Sequence, residues 1–146
     1  MLAPTGLMLD IIGASILVVA DIPQWRNDLA SFCVRTRDVE DARIRLTTEE
    51  GGEEVIITSG EPAHDDLINI FEENTVYDID SSRIVSHWVG KDRYTIKPEG
   101  VTYRDLPASK AQVNNWIGAW YARYFRRLGL GVLILGFSLQ LLSYVI

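Results

Sequence analysis

Few residues in this chain have chemistry to offer. His64 directly precedes Asp65 and Asp66, a grouping that could ligate a cation or move a proton, and His87 is the other imidazole. Consecutive positions point different ways around a helix, however, whereas ligands that converge on one metal stand three or four residues apart. In the first turn of a helix, Asp65 and Asp66 are ordinary partners of its dipole. Asp78 and Asp80 alternate, so a strand would turn both to one face, as an acidic pair or as the wetted side of an edge strand. Cys33, the one cysteine, falls on an apolar helical face with no histidine near it in sequence, which suits an inert thiol. Phosphate-binding glycine loops, nucleophile elbows and paired-cysteine motifs are absent from the sequence. The sequence thus implies no metal site and no cofactor. An enzyme built from His64, Asp65, Asp66, Asp78, Asp80 and His87 would need at least three of them to converge in one pocket.

More telling is a carboxylate in an apolar setting. Asp10 stands inside the stretch 2–22, and Gln140 inside 128–146, a run of Leu, Ile, Val, Gly and Phe interrupted by Ser138, Gln140 and Ser143. All 14 Lys and Arg, and all of the 20 Asp and Glu except Asp10, lie from Asp21 to Arg127. About 20 apolar residues cross about 30 Å of hydrocarbon, so each end predicts a transmembrane helix. A signal peptide would want a basic leading segment and an unbroken apolar run, and 2–22 has neither. A domain of this size has no interior that could hide 128–146 on all sides.

Counted from Ile22 and Leu128, Asp10 and Gln140 each lie about 12 residues, or about 18 Å, along their helices. Gly6, Asp10 and Gly13 share one face, and Gly129, Leu133, Gly136 and Gln140 share another. Small residues let backbones approach, and a polar pair in lipid is better satisfied by a partner than left alone. These faces predict a hairpin with Asp10 near Gln140. Two other readings stand beside it: Asp10 hydrated near the outer interface and holding a proton, or the same faces docking a partner protein's helix or serving a proton path.

Between the spans the pattern predicts a compact α+β domain. Residues 23–108 begin with a juxtamembrane helix carrying Trp25, Leu29, Phe32 and Cys33 at helical spacing. A β-hairpin around Gly51-Gly52 is expected over 43–59, with a helix over 38–50 as the alternative. A helix over 61–74 follows, with Pro62 in its first turn and Asn74 as its stop. Short β runs are expected at 76–79, 83–89, 94–96 and 101–103. Ser81-Ser82, Gly90-Lys91-Asp92 and a type I turn at Lys97-Pro98-Glu99-Gly100 separate them, and Pro107 closes the sheet region. Ser109 is the natural N-cap of an amphipathic aromatic helix over 109–127 that continues without a breaker into the span 128–146, about 37 residues in all. Its aromatic face assigns Trp116 and Trp120 to the core. It assigns Arg123, Tyr124, Phe125, Arg126 and Arg127 to the membrane interface.

Lys and Arg resist translocation. Arg26, Arg35 and Arg37 follow the first span and Arg123, Arg126 and Arg127 precede the second, so the central domain is expected in the cytoplasm and both termini across an inner or plasma membrane. A single cysteine agrees with a reducing compartment. A net charge of −6 with scattered basic residues excludes nucleic acid as a natural partner. The expected partners are the bilayer and a larger membrane protein complex, on which the chain would act as a non-enzymatic accessory or scaffolding subunit. A membrane-anchored sensor whose cytoplasmic domain binds a ligand or peptide is the alternative reading, and a small membrane-bound enzyme the third.

Overall fold

The computed structural model describes residues 2–48, 55–58, 60–74, 83–88, 94–98, 106–108 and 110–146. It divides into two units, one of Met1–Leu29 with Trp120–Ile146 and one of Ala30–Ala119.

In the first unit, α1 (Leu2–Asp21) is a long apolar helix, with Pro4 in its first turn where no intrahelical N–H bond is lost. It ends because Ile22 precedes a proline and is steered away from the α region. Pro23 then opens α2 (Pro23–Phe32), and the Ile22 carbonyl accepts the first bond of that helix from Arg26 N–H at 2.9 Å. The remainder of the unit is the C-terminal part of the longest helix, here called α5 (Lys110–Val145), which is 36 residues long and unbroken.

The second unit takes in the end of α2, then α3 (Arg37–Thr48), α4 (His64–Asn74) and the start of α5. Thr36 joins α2 to α3. Its buried hydroxyl donates to the Ala30 carbonyl at 2.8 Å, and its own carbonyl accepts from Glu40 N–H at 2.9 Å, so a helix end and a helix start share one residue. Val39, Ala42 and Leu46 on α3, Leu67, Ile70 and Phe71 on α4, and Val113 and Ile117 on α5 are buried with Ile57. Each fully buried large apolar side chain stabilises the unit by about 1.5–3 kcal/mol. Phe71 meets Trp116 edge-on, with ring centroids 6.1 Å apart. Buried Glu40 is bound in a bidentate pair by Arg43 at 2.8 and 2.5 Å, and Arg43 also donates to Asn114 at 2.9 Å.

Four short strands, β1 (Val55–Thr58), β2 (Arg83–Trp88), β3 (Tyr94–Pro98) and β4 (Leu106–Ala108), form an antiparallel meander in chain order. Ile56 lies opposite Val85, Ser86 opposite Ile96 and Thr95 opposite Pro107. Pro107, which cannot donate to a ladder, is tolerated because β4 is an edge strand.

The expected α+β class is corrected by this architecture. Five helices of 20, 10, 12, 11 and 36 residues dominate the described residues, while the strands run for only three to six. The fold is mainly α-helical with a minor sheet. The hairpin expected over 43–59 is also overturned, because Arg37–Thr48 is helix and Val55–Thr58 pairs with β2 instead. Helical spacing of Val39, Ala42 and Leu46 outweighs the local alternation of Ile44 and Leu46, and Ile44 is left 43% exposed. Lys97 and Pro98 belong to β3 and Pro107 to β4, where a turn and a closure were expected. Pro62 lies in a turn closed by the His64 N–H, which donates to the Glu61 carbonyl at 3.1 Å, just ahead of α4. The expected runs 76–79 and 101–103 and the positions Gly51, Gly52, Ser81, Ser82, Gly90, Lys91, Asp92, Glu99, Gly100 and Ser109 lie outside the described residues.

Candidate functional site

Within the first unit, α1 and α5 run antiparallel with their backbones in contact. A Cβ added at Gly6 would lie 2.7 Å from both Gln140 Cγ and the Gly136 carbonyl oxygen. One added at Gly13 would lie 2.8 Å from the Gly129 carbonyl oxygen, and one at Gly129 would lie 2.9 Å from that of Gly13. Real Cβ atoms do not approach so closely, so only glycine fits at these positions. Gly131, on the same helix, has open space around it among the described residues. The close approach is therefore a property of one stripe and not of glycine in general.

The stripe has a period of seven. Gly6, Gly13 and Ala20 are the buried residues of α1, and Ala122, Gly129 and Gly136 are buried on α5. Each step along α1 is answered by an equal step back along α5, and a seven-residue repeat keeps such a stripe in register when the helices wrap left-handedly. Ala20 and Ala122, one heptad farther, carried the same signal.

Asp10 and Gln140 meet beside this stripe. Gln140 Nε2 donates to Asp10 Oδ2 at 2.5 Å. Asp10 Oδ1 is pressed against Gly136, buried and without a hydrogen-bond partner among the described residues. Beyond the pair, Ala3, Pro4, Leu7, Gln140 and Tyr144 line an open cleft of about 270 Å³.

At the other end of the hairpin, Arg126 donates from Nη2 and Nε to Asp21 Oδ1, at 2.5 and 3.2 Å. Arg26 reaches the Ala20 carbonyl through Nη1 at 3.5 Å. Burial, and then the like charge of Arg126, lower the Arg26 pKa from its ordinary value, with Asp21 and Tyr121 opposing. Arg123 and Arg127 are exposed, and Tyr124 is half-buried, stacked on Trp120 at 6.4 Å. Phe125 is 1% exposed and packed edge-on to Tyr124. Trp116 and Trp120, expected in the core, are half-buried.

The alternative chemistry does not assemble among the described side chains. His64 is 4% exposed and holds Asp65 through Nδ1 at 3.0 Å. Asp66 instead receives both Arg35 nitrogens, one at 2.8 Å. His87 lies in β2 opposite Thr95, and Asp78 and Asp80 are outside the described residues. Cys33 is half-buried just past α2.

No protein-family model matches the chain, and no curated protein or solved structure is similar to it. Its own geometry must carry the reading. Two of its helices are long and apolar enough to cross a membrane, and only 11% of the apolar window in each is buried. The side chains that are left outward are large and apolar, including Met8, Ile11, Ile134 and Leu141 at 60–68% exposure.

Proposed function

We propose that this chain is a non-enzymatic accessory or scaffolding subunit, held in a membrane by α1 and α5 as a self-closed hairpin and docked on a larger membrane protein complex. The observation that carries this reading is the small-residue stripe. Gly6, Gly13, Gly129 and Gly136 are spent on contact within the chain, so the anchor needs no partner to form. Its outward apolar faces remain available to lipid and to other helices. A soluble protein would cover such faces, because exposed apolar patches of this extent promote association. The arginines at the charged ends of both helices favour the cytoplasm for the central segment.

The same stripe changes how docking is tested. Asp10 is bonded to Gln140 across the hairpin, so Asp10→Ala reports on the hairpin, whereas Leu7→Ala and Ile134→Ala report on the outward faces. The experiment is mild-detergent purification of the tagged full chain from its native membrane, with mass spectrometry. Stoichiometric recovery of one larger membrane assembly, lost with an outward substitution, supports the reading. Recovery of the chain alone overturns it.

A sensor is favoured by one separate feature. The helix α5 contributes to both units without a break, so a ligand-induced change at its start has a continuous element on which to act.

A further inference from the structure

The charged end of the hairpin carries more cationic hydrogen-bonding capacity than it uses internally. Arg126 is held by Asp21, but both residues are more than half exposed, at 56% and 63% of their side chains. Arg26 stands in the electrostatic reach of both, and its Nε is buried without a hydrogen-bond partner among the described residues. Arg127 adds an exposed guanidinium one residue beyond Arg126. Immediately along the two helices the exposed surface turns apolar, at Val18 and Leu128, and exposed Trp25 precedes Arg26.

Two guanidiniums around one carboxylate leave an excess positive charge, and their planar forks match the oxygen geometry of phosphate. The position at the boundary between charged and apolar surface is that of a lipid headgroup, with the exposed apolar residues beside it suited to acyl chains. We infer that Arg26 and Arg126 form a binding site for the phosphate of an anionic phospholipid. The inference rests on the reading that α1 and α5 span a bilayer. It goes beyond that reading by assigning the arginines a ligand in addition to a role in orientation. Asp21 acts in this site as an internal competitor: it holds Arg126 in place and takes up part of its charge.

The test uses the full chain. Flotation with phosphatidylcholine vesicles first establishes insertion. The chain is then offered equimolar phosphatidylglycerol and phosphatidylcholine in mixed micelles, and retained lipid is counted by native mass spectrometry. The wild type retains phosphatidylglycerol preferentially. Arg26→Gln lowers the preference about fivefold, the effect of one basic residue near an anionic surface. Asp21→Asn raises it, a change that loss of folding does not mimic, and Arg45→Gln leaves it unchanged. A chain that floats but shows no preference, or whose Arg26→Gln and Asp21→Asn variants behave as wild type, overturns the site and leaves the spanning reading intact. Loss of the bound lipid to millimolar inorganic phosphate assigns the site to a soluble anion and overturns the lipid. Failure to float overturns the spanning reading itself.

Discussion

Gln140 donates to one oxygen of Asp10 across 2.5 Å while the other oxygen lies buried against Gly136 without a partner among the described residues. The two side chains are 130 positions apart in sequence, and their meeting fixes the register of the hairpin. In lipid, a hydrogen bond between helices contributes on average about 0.6 kcal/mol and at most about 1.7, so the pair specifies alignment more than it supplies stability. The glycine stripe supplies the close packing.

Replacing Gln140 by Leu therefore destabilises the hairpin by about 1–2 kcal/mol, because both Asp10 oxygens are then unsatisfied. The double variant Asp10→Leu/Gln140→Leu recovers most of that loss, and a reversible unfolding titration in mixed micelles measures both. Additive effects would show that the pair is not coupled.

Gly13→Leu and Gly129→Leu force the backbones of α1 and α5 apart, at a cost of about 1–3 kcal/mol or more. Gly131→Leu, into open space, stays within about 0.5 kcal/mol of wild type. The same titration ranks all three. Equal effects at Gly129 and Gly131 would contradict the stripe.

How much of this was legible in the sequence differs between the two units. The two long apolar helices declare themselves through runs dominated by Leu, Ile and Val, and counting along them places Asp10 and Gln140 at equal distances from their charged ends. Contacts made by ordinary residues across the fold do not declare themselves. Asp21 and Arg126 lie 105 positions apart, and nothing local in either stretch couples them. In the stretch 37–48, Ile44 and Leu46 alternate locally, while the helical set Val39, Ala42 and Leu46 becomes visible only over eight positions.

In the second unit, Thr36→Val removes a buried donor from the Ala30 carbonyl with little change of shape. The expected loss is about 1–3 kcal/mol, read as a lowered unfolding midpoint of the full chain in detergent. A midpoint equal to wild type would mean that the α2–α3 junction is held by something other than this hydroxyl.

Arg43→Met leaves buried Glu40 without its bidentate partner and costs about 3–5 kcal/mol. Replacing the pair together, with Glu40→Gln and Arg43→Met, costs less than the single change. The order is checked by thermal unfolding, and the reverse order would remove the pair from the account of this core.

For the proposed self-closed hairpin with outward faces docked on a larger membrane assembly, the decisive measurement is site-specific photo-crosslinking in the native membrane. A photoreactive residue is placed in turn at Met8, Ile134 and Leu141, each at least 66% exposed, and at Phe125, which is buried. A docked hairpin gives a discrete adduct with one membrane protein from one outward face, and none from Phe125. Insertion of the chain with only lipid adducts from every outward position would contradict it.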